Sequence, residues 1–386
     1  MPARRRDRRM SRPLHVAFLS WRDAAHPEAG GSEVYVEQMA AGLAARGHRV
    51  VVVTARPPGT RAGERVDGVV HVRGGGRLTV YLHGLLWVAR HRRSLDVVVD
   101  VINGLPFATP LVRRTGVVAL VHHVHREQWR MIYPDWRGRL GWFVESRVTP
   151  ALYRRAPHVT VSRSTAADLE RLGVRADLVR VVRNGLVPRP VAGPRSPTPR
   201  VVVLSRLVPH KQVEHVLEAA HALRGRHPGL VVDVVGTGWW ERRLREEAHQ
   251  LGVDDVVRFH GWVDDDERDR LLAAAHVLAL PSVREGWGIA VTEAAAQRTP
   301  TVGYRSSGGL RESVDDGVTG WLVEDRAGLT AAVDDVLSGR VDVELAGEAA
   351  RERAAGLSWE RSVEELVAVL QEEAGRRRGR RAQRAP

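Results

Sequence analysis

Short apolar runs, each followed by a helix-length amphipathic segment, recur along this chain, stop at one proline-rich stretch, and begin again. Runs of this kind suit strands buried on both faces, and parallel strands need a crossover element between them. In the first half, strands are expected at His15–Ser20, Val50–Thr54, Val97–Ile102, Val117–Val121 and Val159–Ser162, with helices near Ser32–Arg46 and Ser164–Leu172. From Pro188 to Pro199 five prolines stand among glycine and serine, a composition that makes a linker rather than an element. The alternation resumes with strands at Val201–Ser205, Val231–Val235, Val256–Phe259 and Val277–Leu280, and helices near 211–225, 239–251 and 265–275.

The chain of 386 residues therefore reads as α/β, with two Rossmann-like domains facing a central cleft. The expected domains are residues 13–187 and 200–357, separated by a linker at 188–199. Ligands of such folds bind outside the carboxyl ends of the strands, which places a site in the cleft. Helical periodicity at Val363, Leu366, Val367 and Leu370 predicts a helix over 358–374 that packs back across the hinge.

The net charge of +13 is concentrated at the ends. Residues 1–12 carry +5 and residues 375–386 carry +6, which leaves +2 for everything between. Both ends are expected to be basic, solvated tails, disordered at 1–12, that touch anionic lipid headgroups if they touch anything. A specific nucleic-acid reader needs its basic stripe on a folded face, so that class is disfavoured. Cysteine is absent, which excludes disulfides and thiolate chemistry. No apolar run reaches the length of a membrane span, and no apolar stretch of signal-peptide length follows the N-terminal arginines. The expectation is a cytoplasmic protein, peripheral at the inner face of the membrane if the tails engage it.

Four strings carry chemistry. In Pro281-Ser282-Val283-Arg284-Glu285-Gly286-Trp287-Gly288-Ile289-Ala290-Val291-Thr292-Glu293, a strand gives way to a glycine turn and then a helix. Backbone N–H groups at a helix start attract anions, and Glu285 and Glu293 are suited to accept hydrogen bonds from sugar hydroxyls. In Leu204-Ser205-Arg206-Leu207-Val208-Pro209-His210-Lys211, Arg206 and Lys211 straddle a short loop, and Lys211 is the sole lysine of the chain. Gly30-Gly31-Ser32-Glu33 follows the first strand, where glycine fits a tight turn and Ser32 suits a helix cap. Val121-His122-His123-Val124-His125 ends a buried strand. Strand-type spacing of His123 and His125 without cysteines or nearby carboxylates argues against a closed zinc site.

Together these strings resemble family 4 retaining glycosyltransferases of the two-domain GT-B type. Glu285 and Glu293 stand as the acids of the family's E-x7-E signature, and Arg206 and Lys211 match its G-R-L-x-x-x-K segment with Ser205 in place of the usual glycine. The resemblance implies a hexose moved from a nucleotide diphosphate sugar to a hydroxyl acceptor, with no cofactor and no metal. It implies that His122, Glu285, Arg206 and Lys211 serve the reaction centre. Glu293 would contact the ribose, and Gly286, Gly288 and Ile289 would face the sugar or distal phosphate. Gly261 and Val263 would lie near the base, and Gly30, Gly31 and Ser32 would form a phosphate or acceptor loop. A nucleotide-sugar epimerase or a phosphorylase of the same architecture stays open as an alternative.

Overall fold

The computed structural model describes residues 12–382, with side chains through 379. The segments 1–11 and 383–386 of the expected basic tails lie outside the described residues.

The first sheet has eight strands. His15–Leu19 sits inside it, parallel to Arg49–Thr54 on one side and Val97–Val101 on the other. Beyond Val97–Val101 come Val117–Val121, His158–Thr160 and Val179–Val181. Beyond Arg49–Thr54 lies Val69–Arg73, and Gly63–Val66 closes that edge, antiparallel to it. The second sheet has six parallel strands in the spatial order Val257–Gly261, Val231–Val235, Arg200–Leu204, Val277–Leu280, Thr301–Tyr304, Gly320–Val323. Each sheet thus has one point where strand order reverses: between His15–Leu19 and Val97–Val101, and between Arg200–Leu204 and Val277–Leu280. Loops leaving the carboxyl ends diverge there and open a crevice.

The 188–199 stretch contains no helix or strand, yet it is not a free tether. Gln297 holds it at both ends of its amide, accepting from the Ala192 N–H at 2.8 Å and donating to the Pro190 carbonyl at 3.2 Å. Arg189 pairs with Asp266 and Asp269, and Arg195 with Glu344 at 2.8 Å. These contacts fasten it along the second domain.

The C-terminal helix runs Trp359–Ala382, further than the expected 358–374. The arginines from 376 onward read as a solvated tail because nothing local requires them to fold. In the structure Arg376 pairs with Glu372 one turn back at 2.5 Å, and Arg377 donates to the Arg92 carbonyl at 2.7 Å. Residues 375–382 therefore extend the helix instead of leaving it. Its apolar stripe of Val363, Leu366, Val369 and Leu370 is buried among Val16, Phe18, Val36 and Val99 of the first domain. Gly42 of the first helix faces Val363 so closely that a Cβ there would lie 2.5 Å from it. The chain returns to the first domain beside Gly185, where an added Cβ would meet the Trp359 backbone at 2.2 Å.

Candidate active site in the interdomain crevice

Both reversal points face one crevice. From the second domain come the loop after Arg200–Leu204, with Arg206 and Lys211, and the loop after Val277–Leu280, with Glu285. The two are stitched together by the Val283 N–H to the His210 carbonyl at 2.9 Å. Lys211 Nζ then meets Glu285 Oε1 at 2.5 Å. Scarcity of lysine and the spacing of the acids thus converge on one pair.

Glycine is required where these loops pass one another. An added Cβ on Gly236 would lie 2.0 Å from the Ser205 carbonyl oxygen, and one on Gly238 2.0 Å from that of Leu207. Gly309 braces the other loop, donating to the Glu285 carbonyl at 3.0 Å. Gly261 ends the neighbouring strand, and its carbonyl accepts from the Gly236 N–H at 2.8 Å. Val263 follows it, half-buried. Gly288 stands at the start of the Ile289–Ala296 helix with a left-handed φ of 87°. Glu285 precedes this helix, and Glu293 lies within it, one turn on. Glu293 pairs with Arg268 at 3.1 Å. Burial raises the Glu293 carboxyl above its ordinary range, and Arg268 only partly opposes this.

The first domain closes against these loops. A Cβ on Gly30 would sit 3.0 Å from Arg206 Nε, and one on Gly31 3.2 Å from Ile289. A Cβ on Gly286 would come within 2.4 Å of the His122 carbonyl oxygen. Only bare backbone permits this approach. Ser32 does not cap the first helix. Gly30 is its N-cap, and Glu33 accepts from the Gly30 N–H at 2.8 Å and from the Ser32 hydroxyl at 2.8 Å.

Arg22 escaped the sequence reading, and Glu33 entered it only as the last residue of the Gly30–Glu33 string, without a role. They pair at 2.9 Å, both almost wholly buried. Burial alone would raise the Glu33 carboxyl, but Arg22 and Arg206 outweigh it and hold its pKa below the usual range. Arg206 itself has no carboxylate in ion-pair contact among the described residues. Its Nη1 reaches only the Glu28 carbonyl at 3.4 Å. Burial, reinforced by Arg22, brings its pKa down to about 10. A motif scan could have flagged Glu33, three residues beyond a glycine turn, as a capping-box acid.

His122 lies deeper than a strand-end residue facing open solvent. Its ring meets Tyr35 edge-on at 5.2 Å, and neither ring nitrogen has a hydrogen-bond partner. Burial pushes its pKa down to about 4, so it is neutral at pH 7. The expectation of no carboxylate beside the other two histidines is overturned. Glu145, folded in from 20 residues beyond His125 on a π-helical turn at Val144–Val148, accepts from the His125 N–H at 3.0 Å and contacts its Nδ1 at 2.9 Å. Glu145 also accepts from the Trp129 indole at 2.7 Å, while His123 bonds Gln128 at 3.1 Å. Among the described residues, no three His, Cys, Asp or Glu side chains converge as a metal site.

Comparison with known proteins agrees with this architecture. The family described as Glycosyl transferases group 1 matches residues 189–353, and Glycosyltransferase Family 4 matches residues 29–189. A Mycobacterium tuberculosis glycogen synthase is 35% identical over 45% of this chain, and the match spans only 44% of that protein, less than half its length. A GDP-mannose-dependent alpha-(1-6)-phosphatidylinositol monomannoside mannosyltransferase of the same species is 30% identical over 84% of this chain and 90% of its own. Among solved structures, sucrose-phosphate synthase from Thermosynechococcus elongatus superposes with a TM-score of 0.81 at 22% identity, covering 93% of this chain and 98% of that one. An Anabaena protein solved with UDP and glucose gives a TM-score of 0.72 at 18% identity, covering 93% and 99%. Glycine-bearing loops at the reversal points of two largely parallel sheets, the matches to both halves, and a relative aligned over most of its length lead to one statement: this chain belongs to the group 1, family 4 glycosyltransferases, with the GT-B fold.

Proposed function

We propose that the chain transfers a hexose from a nucleotide diphosphate sugar to a hydroxyl acceptor, with retention at the anomeric carbon and without a metal. The observation that carries this reading is Arg206, a half-buried guanidinium with no carboxylate in ion-pair contact, beside the Lys211–Glu285 pair at the reversal point of the second sheet. A largely desolvated cation that no carboxylate contacts directly is unfavourable, and an anionic ligand relieves it. A diphosphate placed there gains negative charge as the sugar departs, so Arg206 and Lys211 stabilise the transition state more than the ground state. Lys211 holds Glu285 in place until the donor arrives. Glu293, protonation-prone and held by Arg268, sits where the ribose hydroxyls would reach, with Gly286, Gly288 and Ile289 between the two acids. Gly30, Gly31 and Ser32 face the phosphates from the opposite wall. His122 acts as a neutral imidazole.

The test is donor-dependent thermal stabilisation across UDP-, GDP- and ADP-sugars, followed by kinetics of two variants. A donor at 100 times its Kd stabilises by about 2.7 kcal/mol. Glu285→Gln is expected to lower kcat, and Glu293→Gln to raise the donor KM with kcat largely kept. Wild-type constants in both variants would remove these acids from the site. Formation of an epimer from the donor without any acceptor would favour the epimerase alternative.

The acceptor is proposed to be presented at an anionic membrane surface. Leu78, Leu82 and Leu86 lie exposed along the Thr79–His91 helix, and Trp136, Leu140 and Phe143 along Trp136–Phe143. Arg77, just ahead of the first of these helices, donates to the hydroxyl of Tyr133, just ahead of the second, at 2.8 Å, and Arg90, Arg93, Arg137 and Arg139 are exposed on or beside them. Apolar residues ringed by arginine suit headgroup-level docking. Among the described residues no helix is long and apolar enough to cross a membrane. Flotation with anionic vesicles should be lost on Leu82→Ser with Phe143→Ser. Undiminished flotation of that double variant would refute this face as the docking surface.

A further inference from the structure

A second cavity lies behind the donor loop, on the far side of the Ile289–Ala296 helix from the crevice just described. Its volume is about 390 Å³, within the range of small-ligand pockets. None of Arg206, Lys211, Glu285 or Glu293 lines it. It spans the seam between domains: Arg163 and Arg183 come from the first, Arg311 and Arg353 from the second. One carboxylate, Glu312, opposes these four guanidiniums. Glu312 is already engaged, accepting from the Ser164 N–H at 2.7 Å and lying 4.0 Å from Arg183. The side chains of Arg163 and Arg311 make no hydrogen bond or ion pair with any described residue. The cavity therefore carries an uncompensated positive rim.

Its floor is different in kind. Thr301 is 1% exposed, lines the cavity, and its hydroxyl has no hydrogen-bond partner among the described residues. The other floor hydroxyls are occupied: Thr292 accepts from the Trp287 indole at 3.0 Å, and Thr299 donates to the Leu272 carbonyl at 2.6 Å. A buried hydroxyl left unpaired in a water-accessible pocket is a place for a ligand hydroxyl. The indole of Trp287 supplies an apolar wall of the kind that packs against a sugar ring.

We propose that this cavity binds a small phosphorylated polyol, of sugar-phosphate size, distinct from the donor. The phosphate is held at the arginine rim, where guanidiniums match its geometry. The polyol body reaches inward, and Thr301 reads one of its hydroxyls. Because the rim is shared between domains, the ligand clasps the seam shut. It also presses on Trp287, the residue between Gly286 and Gly288 of the donor loop.

The test is calorimetric titration of the full chain with inorganic phosphate, a hexose 6-phosphate and the parent hexose, at fixed ionic strength. Hexose 6-phosphate is expected to bind most tightly, phosphate more weakly, and hexose not measurably. Arg311→Ala with Arg353→Ala should weaken both anions at least 10-fold, since each charge-assisted contact accounts for about that factor. These side chains are exposed at the rim, so the fold is not at stake. Thr301→Val should weaken hexose 6-phosphate while leaving phosphate unchanged. Arg206→Ala should leave the component of both that the rim variants remove unchanged. Absence of binding to the wild type, or binding that survives the rim variants and disappears with Arg206→Ala, would overturn the proposal, the latter by assigning the anion to the donor crevice.

Discussion

Arg206→Ala is expected to lower turnover roughly 10²–10³-fold, the scale on which single charge-stabilising donors act in enzyme sites. The reason lies in its surroundings. Arg206 approaches the backbone of Gly30 and the field of Glu33, but no carboxylate neutralises it directly. Its charge is therefore available to the departing diphosphate. Lys211→Ala should fall in the same range for a second reason as well. It strips Glu285, whose side chain is 11% exposed, of its counter-ion. The double variant should lose less than the product of the singles, because both cations address one anion. Steady-state rates of the wild type, each single variant and the double variant, with and without EDTA, decide the matter. A wild type silenced by the chelator while the alanine variants stay fast would assign the diphosphate to a metal instead.

Leu370→Ala should destabilise the first domain by about 2–5 kcal/mol, the cost of deleting a fully buried leucine. Leu370 is wholly buried in the core that includes Val16, Phe18 and Val99, although it lies more than 250 positions from them in sequence. With a denaturant slope of a few kcal/mol per molar, the urea midpoint drops by roughly 1 M. Arg361→Ala on the solvent face of the same helix, where its side chain is 76% exposed, should move the midpoint negligibly. Equal midpoints for the wild type and Leu370→Ala would show that the helix does not belong to that core. Cutting the chain after residue 357 removes Trp359, Val363, Leu366, Val369, Leu370 and Ala374 together, and should leave the first domain unable to fold.

Local chemistry made part of this legible. The strands Val117–Val121, Val231–Val235 and Val277–Leu280 stand where their apolar runs and flanking turns put them. Lys211 and Glu285 were visible because each sits just past such a strand. What was not legible depends on distance or on short elements. The Arg22–Glu33 pair and the Glu145–His125 contact join segments with no shared periodicity. Thr301–Tyr304 and Gly320–Val323 read Thr-Val-Gly-Tyr and Gly-Trp-Leu-Val, and unlike Val-Leu-Ala-Leu at 277–280 each is broken by a glycine that reads as a turn. The hairpin Gly63–Val66 to Val69–Arg73 did have a signal, Asp67-Gly68, with φ of 49° and 80°. Paired positive φ values favour this dipeptide in tight hairpins. Its polar strand Gly-Glu-Arg-Val disguised it, because an edge strand needs no apolar run.

The return of the Trp359–Ala382 helix to the first domain has a consequence for synthesis on the ribosome. Residues 12–187 emerge first, but the face formed by Val16, Phe18 and Val36 remains uncovered until Leu370 and Ala374 leave the exit tunnel. The second domain, whose core closes with Val333 and Val336, is complete before then. At translation speeds of about 5–20 residues per second, the first half waits roughly 10–40 s for its last layer. Domains usually mature in the order they are made. Here the second to be translated is the first to finish, and the nascent first half keeps an apolar face exposed throughout the interval.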